Sequence, residues 1–114
     1  MKSQQKEPRT SDDKSDGKQI SAPWQFRLYV AGSAPHSSLA IANLEVFGNT
    51  FLKGNYTVEV VDVMREPLRT LADGVLVTPT LVRLSPEPVC RIIGNLSDQQ
   101  IVLIALGLAG SSHG

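Results

Sequence analysis

From Gln25 the chain alternates: Phe26, Leu28 and Val30 are apolar, and Gln25, Arg27 and Tyr29 stand between them. A period of two reads as a strand. The stretch GSAPHS then turns the chain, with Ser37 or Ser38 placed to cap a helix. The period lengthens in SLAIANLEVFGNTF, where Leu39, Ala40, Leu44, Phe47 and Phe51 recur at helical spacing. Gly48 sits inside or at the end of that helix and should weaken it by about 1 kcal/mol relative to Ala. After KGN, the run YTVEVVDV is a second strand. Strand, helix and strand at this length predict a parallel pair joined by a right-handed crossover.

Beyond Pro67 the pattern is less decisive. PLRTLAD reads as a short helix with proline in its first position. TLVRL and VCRII are strand-like, and the prolines of SPEP between them bar a regular ladder. SDQQ, with Ser97 followed three residues later by Gln100, has the form of a capping box before a last helix. Yet IVLIAL is apolar on every side and holds three β-branched residues, so period alone leaves helix and strand open. With the helix, the order is βαβαββα, the thioredoxin-like α/β arrangement.

Composition narrows the class. The chain of 114 residues has room for one domain, and an apolar fraction of 41% suffices for a small core. Eleven basic and eleven acidic residues leave no net charge, which argues against binding nucleic acid by a basic stripe. Residues 1–22 carry Lys, Asp, Ser and Gln with no apolar period, and read as a solvated leader rather than a docking arm. The expected domain covers residues 23–109, followed by a flexible end at 110–114. The leader lacks the apolar core of a secretory signal, and the run from Ile101 to Leu106 is too short to span a bilayer. The expected protein is soluble and cytoplasmic, without a membrane partner.

Catalytic chemistry has no candidate constellation. Thioredoxin-like oxidoreductases carry Cys-x-x-Cys between the first strand and first helix, where the helix N-terminus lowers a thiol's pKa. Here that place reads AGSAPHSS, and serine has no oxidation cycle. The single thiol, Cys90, lies on VCRII and reads as a small filler. The two histidines, His36 and His113, join no cluster with metal-ligand spacing. His36 adjoins Ser37, but neighbours in sequence rarely aim at one another, so it reads as a plain loop histidine. Asp62 ends the second strand and is expected to bond the amides of the next turn. GSAPHSS has one glycine and no lysine, so it is no phosphate loop. No catalytic residue, metal, cofactor or small-molecule substrate is expected.

Four motifs carry a resemblance. LYVAGSAPHS, VEVVDVMREP, VTPTLVRLSPEPVCRIIGNLS and IVLIALGL, in that order over Gln25 to about Leu108, resemble the KaiB family of circadian-clock proteins. The resemblance implies a non-enzymatic regulator that binds a KaiC-type ATPase ring and alters its phosphorylation or output. It also implies two folds: a self-associated form, a dimer or tetramer ordered βαββααβ, and a monomeric thioredoxin-like form that binds the ring. The half that rearranges would begin near Met64. Pro79, Pro86, Pro88, Gly94 and Asn95 are the fold-switch positions so implied, with Pro79 cis in the thioredoxin-like form and the X-Pro isomers setting the pace. Partner-facing positions carried over are Glu59, Asp62, Arg65, Gly74 and Arg83.

The match has departures. Asn95 stands where the family motif usually has Asp, removing a charge near the last helix. Leu39, Ala42 and Glu45 occupy helix positions that are basic in clock proteins, and Glu59 and Gly74 replace common lysines. AGSSHG replaces an acidic tail. These departures point to a divergent paralogue with a different KaiC-type partner or a stress-related role. The alternative is a stand-alone adaptor, like the KaiB-like domain of a clock-output histidine kinase, that stays thioredoxin-like.

Overall fold

The computed structural model describes residues 22–109. The predicted leader, apart from Ala22, and the predicted end segment 110–114 lie outside the described residues. The elements run β1 (Trp24–Val30), α1 (Pro35–Phe51), β2 (Tyr56–Asp62), α2 (Pro67–Ala72), β3 (Thr80–Ser85), β4 (Cys90–Ile93) and α3 (Gln99–Ala105). This is the βαβαββα order read from the pattern. The undecided run IVLIAL is helical through Ala105, with Val102 and the C-cap Leu106 turned inward and Ile101 and Ile104 outward. No described helix is long and apolar enough to cross a membrane.

The four strands lie in the order β2-β1-β3-β4. The β1–β2 pair is parallel, from Trp24 opposite Tyr56 to Val30 opposite Asp62, as a crossover through α1 requires. Both β1–β3 and β3–β4 are antiparallel. The central strand β1 therefore has covered faces on both sides. Phe26, Leu28 and Val30 join Ala40, Leu44 and Phe47 of α1, and Val102 and Leu106 at α3, in the larger core. Burying each such Leu or Phe contributes roughly 1.5–3 kcal/mol. Tyr29, expected among the polar positions, is fully buried on the other face in a smaller cluster with Val61, Val75 and Val82. A central strand buries both faces wherever a second layer covers it, so alternation fades there.

Four details of the helices differ from the reading. Helix α1 starts at Pro35 behind Ala34, with no side-chain cap. Ser37 lies buried in the first turn, and its Oγ accepts from the Ala31 amide at 3.0 Å, fixing the β1–α1 loop instead. His36 is in that same first turn and is no loop residue. The buried stripe is Ser37, Ala40, Leu44, Phe47 and Gly48, so Leu39 faces solvent. The fourth detail is the α3 cap: Asp98, not Ser97, accepts from the amides of Gln100 and Ile101 at 3.0 and 3.3 Å. Gly48 has a packing reason, because a Cβ there would collide with the Tyr56 ring.

Candidate partner-docking face

Helix α2 reverses the usual arrangement of a surface helix. Its six residues bury none of their side chains. Leu68 and Leu71 are 81% and 71% exposed, and Met64, Leu76 and Val77 beside them are exposed too. An open groove runs between them, lined by Val63, Pro67, Thr70, Leu71, Leu76 and Val77. A helix without buried apolar side chains must be held by something else.

Ion pairs do it. Arg69 of α2 donates from Nη2 to Glu59 Oε1 on β2, and from Nη1 to Glu66 Oε1 at 3.3 Å. Arg27 on β1 reaches the same Glu59 oxygen at 3.1 Å and Asp73 Oδ2 at 2.9 Å. Tyr29 donates its hydroxyl to Asp73 Oδ2, and Arg91 of β4 donates to the Asp73 carbonyl. The helix and its C-cap are thus tied to β1 and β2 through opposite charges and to β4 through a bond to a backbone carbonyl. The bonds from Arg69 and then Arg27 hold the Glu59 carboxyl below the usual carboxylate range, and Glu59 in turn raises Arg69 further. What α2 leaves exposed is largely apolar.

The carried-over positions gather around this helix, with one exception. Glu59 anchors it. Asp62 Oδ1 accepts from the Met64 amide at 2.9 Å and the Gly32 amide at 3.2 Å, closing β2 as expected and pinning two loops together. Arg65 is exposed in the turn that leads into α2, its amide bonded to the Asp62 carbonyl at 3.0 Å. Gly74 follows the helix with φ +68°, beside the Arg91 guanidinium. Arg83 does not belong here. The strand period turns it to the opposite face of the sheet, where it is buried. In this fold it presents nothing to a partner at α2. The apolar members of the face were missed in the sequence, because six residues are too few to show a period; two leucines three apart in PLRTLA, followed by GVLV, were the available signal.

The proposed switch positions lie at both ends of the β3–β4 pair: Pro79, Gly94 and Asn95 at one, Pro86 and Pro88 in the turn at the other. Thr78–Pro79, Ser85–Pro86 and Glu87–Pro88 are cis. Gly94 follows β4 with φ +118°, and its amide donates to the Pro79 carbonyl at 2.9 Å. Asn95 Oδ1 accepts from the Ser97 amide at 3.0 Å, while its carbonyl accepts from Asn43 Nδ2 at 2.8 Å. Its amide nitrogen also meets His36 Nδ1 at 3.3 Å, so Asn95 joins α1 to the approach of α3. Cys90 is half-buried on β4, away from His36 in the first turn of α1.

Comparison with known proteins fits this picture. The N-terminal domain of SasA from Synechococcus elongatus superposes with a TM-score of 0.64, covering 88% of this chain and 98% of that one at 18% identity. A chloroplastic thioredoxin z superposes at 0.62 with 21% identity, over 76% of this chain and 79% of that one. At these identities the likeness shows the thioredoxin-like fold alone. In sequence, the circadian clock oscillator protein KaiB of Prochlorococcus marinus strain MIT 9312 is 48% identical over 84 residues, 73% of this chain and 79% of the relative. KaiB of Synechococcus sp. strain CC9311 is 46% identical over 83 residues, 73% and 70% of the two chains. These relatives are named for a clock oscillator and not for a catalysed reaction, in keeping with a non-enzymatic protein. The KaiB domain model matches residues 27–108. The chain belongs to the KaiB family.

Proposed function

We propose that this protein is a cytoplasmic regulator that docks through α2 on a KaiC-type ATPase ring and modulates its phosphorylation or output. The observation that carries the reading is the pair Leu68 and Leu71, held toward solvent on a helix fastened by ion pairs. Contiguous apolar surface rimmed by paired charges marks a protein interface. Family membership supplies the clock context.

The second half of the chain, from about Met64, rearranges into a self-associated dimer or tetramer ordered βαββααβ. In that reading the affinity for the ring is reduced by the fraction of molecules in the other arrangement. Gly94 and Asn95 sit where the rearranging elements join, and the free rotation of Gly94 at φ +118° suits a hinge.

The test is co-elution with KaiC-type ATPases, including the one from the same genome, on a sizing column after incubation for hours. The parent chain elutes with a ring. Leu71→Asp, with unchanged circular dichroism and melting, does not. Absence of a complex with every ring tested overturns the proposal. The fold shared with the SasA domain favours a second reading, an adaptor that stays thioredoxin-like. One monomeric set of NMR resonances at all temperatures selects the adaptor; a second, slowly exchanging set selects the switching protein.

A further inference from the structure

Arg83 lies in the middle of the sheet with 7% of its surface exposed, and no carboxylate among the described residues pairs with it. Taking a guanidinium out of water without a counter-charge costs several kcal/mol unless its hydrogens are well used. Here two are used on carbonyls of separate elements. Nη1 donates to the Leu106 carbonyl at 2.8 Å and Nη2 to the Pro88 carbonyl at 2.9 Å. Nε is buried with no acceptor, and the guanidinium carbon stands 5.2 Å from the centre of the Trp24 ring.

The two acceptors are informative. Leu106 is the C-cap of α3, where a helix leaves carbonyls unsatisfied. Pro88 lies in the turn between β3 and β4. Helix α3 has few other holds: within its seven residues only Val102 is buried, Leu103 packs partly buried against the core, and Leu106 follows at the cap. One charged side chain thus grips the helix end and the turn together. Bonds to a charged donor are about twice as strong as neutral ones, and stronger still away from water.

We propose that Arg83 is a latch that fastens α3 and the β3–β4 turn to the sheet. Its release frees the helix end while β1, β2 and α1 stay folded. Its bearing on which arrangement the second half adopts rests on the two-fold reading above; the latch itself does not.

The test uses the full chain with Arg83→Met, which keeps an unbranched apolar stem without the charge, and Arg83→Lys, which keeps the charge but not the fork. Amide hydrogen exchange is read residue by residue. In Arg83→Met the amides of Leu106, Gly107 and Leu108 exchange at least about tenfold faster, while those of β1, β2 and α1 keep their rates. Arg83→Lys, able to reach one carbonyl, falls between. Unchanged rates at Leu106–Leu108, or acceleration spread evenly over all elements in both variants, overturn the latch. The ratio of monomer to oligomer, measured on the same samples, addresses the other reading. Faster α3 exchange with an unmoved ratio keeps the latch and counts against the switch. A moved ratio with protected α3 amides counts against the latch.

Discussion

Gly48 and the Tyr56 ring occupy adjoining space, and only the absence of a Cβ lets the ring lie against α1. Helix propensity alone favours Gly48→Ala by about 1 kcal/mol. Overpacking a site of this kind costs about 1–3 kcal/mol. The ring is a rigid body packed edge-on to Phe26, so the second effect wins. Gly48→Ala is expected to lower the urea midpoint; an equal or higher midpoint shows that the ring moves freely. A different strain applies at Gly94, where nothing lies within 4 Å and the difficulty for a side chain is the backbone angle itself. Gly94→Ala is expected to change the ratio of monomer to oligomer on a sizing column, and an unchanged ratio counts against switching. The glycine's presence at Gly48 was legible in the sequence and its reason was not, since Tyr56 is brought there by the crossover. Likewise Ser37 and Ser97 have the chemistry of caps, but Ala34, which offers no side-chain bond, and Asp98 hold the two positions.

At the scale of the element, α2 is the unusual case, because charge holds it where apolar burial normally would. The Glu59 carboxyl sits below its ordinary value of 4.5, through its bond from Arg69 first and from Arg27 second. A group with a lowered folded pKa adds stability that is present above the unfolded value and lost as pH falls through the folded one. Acidification from 4.5 downward should therefore loosen α2 while α1, packed by Ala40, Leu44 and Phe47, stays protected. Amide exchange across that range checks it, and Glu59→Gln should reproduce the loosening at neutral pH. Added salt should weaken the same attachment, since these charges are exposed to solvent. Equal protection of α2 at pH 7 and pH 3 refutes this account. The sequence showed α2 as an element through Pro67, yet not which way its leucines point. For α3 it showed an apolar run whose helix and strand patterns coincide, and packing against β4 decided between them.

For the molecule as a whole, the first half was readable because local period and topology agree: a strand, an amphipathic helix and a strand allow few arrangements. The strand order β2-β1-β3-β4 and the burial of Tyr29 on the second face depend on pairings far apart in the chain. The face proposed for docking was half legible. Glu59, Asp62, Arg65 and Gly74 were named through the family, whereas the leucines that give the face its character were not. Arg83 lies on the opposite side of the sheet from the other four; residue lists carried from a family do not record which face of a strand a side chain takes. Its actual place has an optical consequence. Trp24 is the chain's single tryptophan, and the Arg83 guanidinium sits over its ring. A cation against an indole perturbs the electrons that emit. The unlabelled protein therefore carries an intrinsic fluorophore at the junction of β1, the β3–β4 turn and the end of α3. Any departure of the C-terminal elements can be followed continuously, at micromolar concentration and for hours, as a change in tryptophan emission.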